Sequence, residues 1–269
     1  MELNYRKYGE GPPLIILHGL YGSSDNWISI ARELSGNFEV YVPDQRNHGA
    51  SPHTRQHNYE LLKEDLLEFM DNNTLDRATL LGHSMGGKVA MFFAVDHPEK
   101  VDNLIVVDIS PRSYKEPGQP VPHTVDHKKI IEAMQKVNFS KAENRIDIDM
   151  MLAENIKSQR IRQFLLKNVK RKDQKSFCWK LNLDTLKNAL PEIMGGIDVK
   201  NINNGMGISG FPVLFIKGEN SDYISEPDYP VIKKAFPAAE IVTIPNAGHW
   251  LHAEQQDLFL KKLNHFLAI

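Results

Sequence analysis

The chain has 269 residues, 41% hydrophobic and 25% charged, with a net charge of −2. A chain of this length and composition can bury roughly three-quarters of its unfolded surface, needs no disulfide staples, and is not a general nucleic-acid binder. Its one cysteine, Cys178, allows no intramolecular disulfide, and neither an apolar signal region nor an 18-residue apolar run is present, so a cytoplasmic protein without a membrane span is expected.

Short apolar runs predict strands at 14–18 (LIILH), 39–44 (EVYVPD), 78–82 (ATLLG), 103–110 (NLIVVDIS), 213–217 (VLFIK) and 240–245 (EIVTIP). Most are continuous rather than alternating, as parallel strands covered on both faces require. Helical patterns lie between them. WISIARELS follows the first run with Asp25 as the expected N-cap, YELLKEDLLEFMDNN follows the second, and residues 84–97 follow the third and end before Pro98. YPVIKKAF and AEQQDLFLKKLNHFLAI complete the series. Strand alternating with helix is the pattern of an α/β fold with a mostly parallel central sheet.

The alternation stops after Ile109. Residues 112–210 open on a proline-rich loop and continue as charged helical segments with no convincing strand, so they read as a helical cap (lid) inserted into a core formed by 1–111 and 211–269. Charge divides the same way. The insertion holds 18 Lys+Arg against 11 Asp+Glu, a net of +7, and the remainder carries −9. Opposite signs allow docking, or a field at the seam.

GHSMGG, residues 82–87, follows a strand and opens a helix. Its G-x-S-x-G spacing suits a sharp turn that lifts the Ser84 hydroxyl above the sheet, with glycines where side chains would clash. The helix start leaves the Met85 N–H unpaired beside the serine, ready for an oxyanion. The loop HGLYG, residues 18–22, is expected to supply a second oxyanion donor, the N–H of Leu20; alone it would be an ordinary glycine turn. The general base is expected on the loop after the last strand, where IPNAGHWLHAE offers His249 at the tip and His252 one turn on, the latter as a packing or capping group. His97, His123, His127 and His265 read as core or surface histidines. The HxxH spacing lacks the partners of a zinc site, and no metal or organic cofactor is expected.

Together HGLYGSSDNW, DQRNHGAS, GHSMGGK, VVDISP, GENSDYIS and GHWLHAE make the sequence resemble the α/β-hydrolase superfamily over nearly its whole length. Within it, the chain is similar to YbfF-type esterases and their eukaryotic relative, abhydrolase domain-containing protein 11. The resemblance implies a serine hydrolase of carboxylic esters or thioesters, acyl-CoA included, with a helical cap. The position that carries the triad acid in many such enzymes holds Ser221 here. The resemblance implies that Asp108, at the end of the strand 103–108, is the acid and that Ser221 assists near His249. Asp222 is the rival acid, and Asp108 could instead merely cap the turn that follows it. Asp44, Arg46 and His48 are expected to buttress the HGLYG loop.

The stretch 160–180 holds eight basic residues and one acid, Asp173. A solvated face is the simpler expectation. A rim for an anionic substrate is the sharper one, and on it Lys170→Glu with Arg171→Glu raises KM for acyl-CoA but spares neutral esters. Phe164, Leu165, Phe177 and Trp179 line an acyl tunnel or pack the insertion. The same residues would also serve C–C bond hydrolysis, lyase or perhydrolase chemistry, and a non-catalytic receptor is the remaining class. The expected partner is a small-molecule ester or thioester, and oligomeric state is not legible.

Overall fold

A computed structural model describes residues 1–115, 126–172 and 176–269. His123 and Asp173 fall outside them. The chain starts with a short strand, β1 (Tyr5–Tyr8), that carries no apolar run and was not expected from the sequence; three of its four residues are exposed. β2 (Pro13–Leu17), α1 (Ile28–Leu34), β3 (Glu39–Pro43), α2 (Tyr59–Asn72), β4 (Ala78–His83), α3 (Met85–Asp96) and β5 (Val101–Val107) then alternate. After an intervening segment the pattern resumes with further strands and helices. The intervening segment builds α4 (His127–Gln135), α5 (Arg145–Ala153), α6 (Gln159–Leu166), a hairpin of β6 (Val169–Arg171) and β7 (Phe177–Trp179), and α7 (Leu183–Ile193). The resumed part comprises β8 (Val213–Gly218), α8 (Tyr229–Ala235), β9 (Glu240–Ile244), α9 (Leu251–Glu254) and α10 (Gln256–Leu267).

Seven strands form one sheet in the order β1-β3-β2-β4-β5-β8-β9, all neighbours parallel except the edge pair β1–β3. Strand side chains alternate between its faces. Leu14, Ile16, Val40, Val42, Leu81, Ile105, Val107, Leu214 and Ile216 pack with α1 and α10 residues such as Ile30 and Phe259. Ile15, Leu17, Tyr41, Leu80, Leu104, Val106 and Phe215 face the other way, against α2 and α3 residues such as Leu66 and Val89. Both faces are covered, which is why the strands read as unbroken apolar runs.

Two local expectations are corrected. Asp25 does not cap α1, which starts at Ile28 after a 3₁₀ turn closed by the Ser23–Asn26 capping box. Asp25 instead accepts from Arg6 at 2.5 Å and Lys180 at 2.9 Å, because it lies inside the 3₁₀ turn that precedes α1. The segment expected to lack strands contains the hairpin β6–β7, whose three-residue strands are too short to show a period.

The ends of the intervening segment leave the core side by side. Ile197 N–H donates to the Pro111 carbonyl at 2.9 Å, and Tyr114 N–H to Met194 at 2.8 Å. Beneath this neck lies Lys88 of α3, fully buried, with its Nζ bonded to the carbonyls of Arg112 (2.7 Å) and Gly195 and 4.7 Å from the Tyr114 ring centre.

Candidate active site

The sheet delivers two residues with backbone strain to neighbouring strand ends. Ser84, after β4, has φ 53° and ψ −118°, and Asp108, after β5, has φ 53°. A non-glycine residue in such a region costs about 1–3 kcal/mol and persists where surrounding structure enforces it, commonly at functional sites. Ser84 is held by its N–H on the Val107 carbonyl (3.0 Å) and Asp108 by its N–H on Ile216 (2.8 Å). The turn at Ser84 is tight enough that a Cβ on Gly82 would collide with the backbone of Gly86, and one on Gly86 with the carbonyls of Leu17 and His18. That is the steric demand that G-x-S-x-G meets.

Asp108 is completely buried and its carboxylate is fully engaged. Oδ1 accepts Gly218 N–H at 3.0 Å, and Oδ2 accepts both the Ser221 hydroxyl and His249 Nδ1–H, the latter at 2.8 Å. With Nδ1 occupied, His249 is left with Nε2 for proton transfer. Asp222 does not take the Nδ1 position; it is half-buried nearby and adds negative charge around His249. Burial lowers the His249 pKa to about 3, so the resting imidazole is neutral. Burial pushes the Asp108 carboxyl up to about 7, against hydrogen bonds from Ser221 and Gly218 that pull it down.

Ser84 and His249 line one narrow cavity together with Leu20, Tyr21, His83 and Trp250. Met85 occupies the first position of α3, where no carbonyl lies four residues back to take its N–H. The HGLYG loop presses against the serine: a Cβ on Gly19 would lie 3.2 Å from that of Ser84. Two neutral histidines brace the loop. His18 donates Nδ1–H to Gly19 O (2.9 Å) and accepts Gln45 N–H at Nε2 (2.9 Å). His48 donates Nδ1–H to Arg46 O (2.9 Å) and accepts Tyr21 N–H (3.3 Å). Burial lowers both pKa values. Arg46 pairs with Asp65 through two bonds of 2.5 and 2.7 Å, and Asp44 accepts Ser24 N–H at 2.7 Å.

Four residues near the site carried no functional expectation from sequence. His83 donates Nε2–H to the His249 carbonyl at 2.8 Å, and Glu254 accepts Gly248 N–H at 3.0 Å, so the His249 loop is held from both sides. Tyr223 stacks on the His249 ring, with centroids 4.0 Å apart at 20°. His127, expected to be a bland core or surface residue, lines the cavity of Ser84 and bonds the Tyr223 hydroxyl. His252 stacks on Trp27 at 4.2 Å and 7°, as a packing group.

The intervening segment supplies the far wall. His127 and Ile130 of α4 and Ile161, Phe164 and Leu165 of α6 close over Ser84. Phe177 and Trp179 instead pack within the segment, with the Trp179 indole N–H donating to Met134 O at 3.1 Å. Phe164 and Trp250, 5.4 Å apart, also line an outer basin beside the narrow cavity, with Asn26, Arg160, Gln163 and Lys167 around it. Arg160 pairs with Glu254 at 2.7 Å. Lys170 and Arg171 lie on β6 and line neither space, because the hairpin turns them outward to solvent.

A strained serine at a strand-to-helix turn thus shares a narrow cavity with a histidine bonded to a buried carboxylate. The α/β hydrolase fold family matches residues 12–141. The sn-1-specific diacylglycerol lipase ABHD11 of Mus musculus is 38% identical over 260 residues, 96% of this chain and 81% of that protein. The chain belongs to the α/β-hydrolase family. Esterase YbfF of Escherichia coli strain K12 is 32% identical over 272 residues, 99% of both chains. Among solved α/β-hydrolase structures, a marine microorganism esterase superposes with a TM-score of 0.90 at 49% identity, over 98% of this chain and 99% of that one. Among the described residues, no helix of this family member is long and apolar enough to cross a membrane.

Proposed function

We propose that this chain is a serine esterase acting on carboxylic esters through an acyl-enzyme on Ser84. The observation that carries the reading is the 2.8 Å bond from His249 Nδ1 to Asp108 Oδ2, made in the cavity wall that also holds Ser84 on its strained turn. Ser84 Oγ attacks the acyl carbon while His249 Nε2 takes its proton, Asp108 holds the tautomer and the imidazolium, and Ser221 steadies Asp108. The N–H groups of Leu20 and Met85 receive the oxyanion. The alcohol departs with the proton returned by His249, and water repeats the cycle. Residues 112–210 serve as the cap. Relatives named esterase and diacylglycerol lipase support ester substrates.

Thioesters, acyl-CoA included, are the finer extension. Arg160 and Lys167 at the outer basin support it, since an acyl chain threaded past Phe164 and Trp250 leaves its anionic head group beside them. The test is hydrolysis of p-nitrophenyl esters and acyl-CoA thioesters of graded chain length, with Ser84→Ala as the blank. Ser84-dependent turnover is the expected result. Turnover that survives Ser84→Ala, or none on any ester, contradicts the reading.

A further inference from the structure

His127 stands outside the Ser84–His249–Asp108 chain, yet it shares their cavity. It opens α4, and two contacts hold it, one at its ring and one at its backbone. Its Nε2 lies 2.9 Å from the Tyr223 hydroxyl, and its carbonyl accepts the Tyr21 hydroxyl at 3.1 Å. Tyr223 rests on the His249 ring, and Tyr21 follows Leu20 in the HGLYG loop. His127 therefore bridges the base and the proposed oxyanion loop from the roof of the cavity.

The hydrogen-bond roles follow from counting protons. Among the described residues the Tyr223 hydroxyl meets no acceptor other than His127 Nε2, and the neutral tautomer with its proton on Nδ1 lets Nε2 take that role. Burial keeps the ring neutral, lowering its pKa to about 4. The ring proton then sits on Nδ1. Part of the residue reaches solvent, but Nδ1 does not, and it has no hydrogen-bond partner among the described residues. An unmade buried donor costs about 1–3 kcal/mol. Such a group in a native site needs an explanation, and on a residue that lines the Ser84 cavity a ligand is the natural one. The wall around it is otherwise largely apolar, with Leu20, Ile130, Ile161, Phe164, Leu165 and Trp250. One donor on an apolar wall discriminates sharply between ligands that satisfy it and ligands that do not.

We propose that His127 Nδ1–H donates a hydrogen bond to an oxygen of the substrate's acyl group other than the scissile carbonyl, so that the cavity favours short acyl groups bearing a keto, alkoxy or hydroxyl oxygen over plain alkyl ones. The proposal rests on the serine-esterase reading. It makes His127 a specificity-determining residue and Tyr223 the residue that sets its tautomer.

The experiment uses two esters of equal chain length, p-nitrophenyl methoxyacetate and p-nitrophenyl butyrate, which differ by O for CH₂. The quantity read is the ratio of their kcat/KM values, compared between wild type and variants so that intrinsic reactivity cancels. His127→Phe is expected to lower the preference for the methoxy ester by about 2- to 10-fold, the range of one neutral hydrogen bond. His127→Asn, whose amide nitrogen can stand where Nδ1 stood, is expected to recover part of it. Equal losses on both esters, or an Asn variant no better than Phe, overturn the proposal and leave His127 a packing residue. Binding of the same two esters to Ser84→Ala, with and without His127→Phe, separates this proposal from the esterase reading. If wild type turns over neither ester, the esterase reading fails, while a methoxy preference in binding that disappears with His127→Phe still supports the contact. No preference in binding overturns it.

Discussion

The histidines packed into this fold should make it acid-labile, and His57 isolates the effect. His57 is 4% exposed, and among the described residues its ring nitrogens meet only Asn47 Nδ2 at 3.5 Å and Met85 Sδ at 3.4 Å. Burial holds its pKa near about 3, with Arg46 adding repulsion. The unfolded chain protonates the same ring near pH ~6.5, so below that pH the unfolded state binds a proton that the folded state refuses. Stability therefore falls with pH from about 6.5 downward, by about 2 kcal/mol per such group between pH 7 and 5. His249 acts in the same sense by a similar amount, while Asp108, whose raised pKa lets the folded state take up a proton, returns about 2 kcal/mol over the same interval. His48, His83 and His252, all lowered well below the usual value by burial, push in the destabilising direction. The net loss is at least about 2 kcal/mol of a total near 5–15 kcal/mol. Urea unfolding followed by tryptophan fluorescence at pH 7 and 5 measures it. In His57→Phe the fall between the two pH values should shrink by about 2 kcal/mol. Wild-type stability that is flat or higher at pH 5, or a fall unchanged in His57→Phe, refutes the reasoning.

Ser221→Ala removes a hydroxyl bond to a buried carboxylate, worth about 1.5–3 kcal/mol, and should lower kcat/KM about 10- to 100-fold and move the acid limb of the rate profile to higher pH, since that bond holds the Asp108 pKa down; an unchanged pH profile contradicts its role. Asp108→Asn should cost about 10⁴-fold in kcat by fixing the wrong His249 tautomer, whereas Asp222→Asn should cost less than about 10-fold; the reverse order makes Asp222 the acid. Lys88→Met strands the carbonyls of Arg112 and Gly195 at the neck of the insertion, so a loss of about 2–4 kcal/mol is expected, seen as a Tm lower by roughly 5–10 °C; an unchanged Tm shows the clamp to be idle. Lys167→Glu should raise KM for acyl-CoA several-fold while sparing neutral p-nitrophenyl esters, and Lys170→Glu with Arg171→Glu should not, because Lys167 lines the basin next to Trp250 and Lys170 and Arg171 do not; equal effects from both would place the anionic group elsewhere.

What could be read beforehand follows from where the information lies. Strands β2, β4, β5 and β8 are covered on both faces, so their unbroken apolar runs announce them. β1 is an exposed edge strand with the sequence YRKY, which burial pressure has not written into the chain. The turn at Ser84 is local, and Gly82 is needed by a clash with Gly86 four residues on, while Gly86 is needed by the carbonyls of Leu17 and His18; the spacing of the two glycines around the serine makes GHSMGG legible. Asp108 is different. An aspartate at a strand end has several uses, and only resemblance to known esterases pointed from it to His249, which is 141 residues away. His127 and Tyr223 meet across 96 residues, and no spacing in the sequence anticipates that contact. Tyr223 sits two residues after Ser221, the one local signal that could have drawn attention to it. Asp25 shows the same limit in small: it is well placed for a cap, but two distant cations claim it instead.

The central claim is that Ser84 becomes covalently acylated. Intact-mass spectrometry of the protein after a short exposure to a p-nitrophenyl ester, with a fluorophosphonate in parallel, tests it directly. A single adduct of the acyl or phosphonyl mass, mapped to Ser84 and absent from Ser84→Ala, is the result this account predicts. No adduct with either reagent, or one that persists in Ser84→Ala, would contradict it.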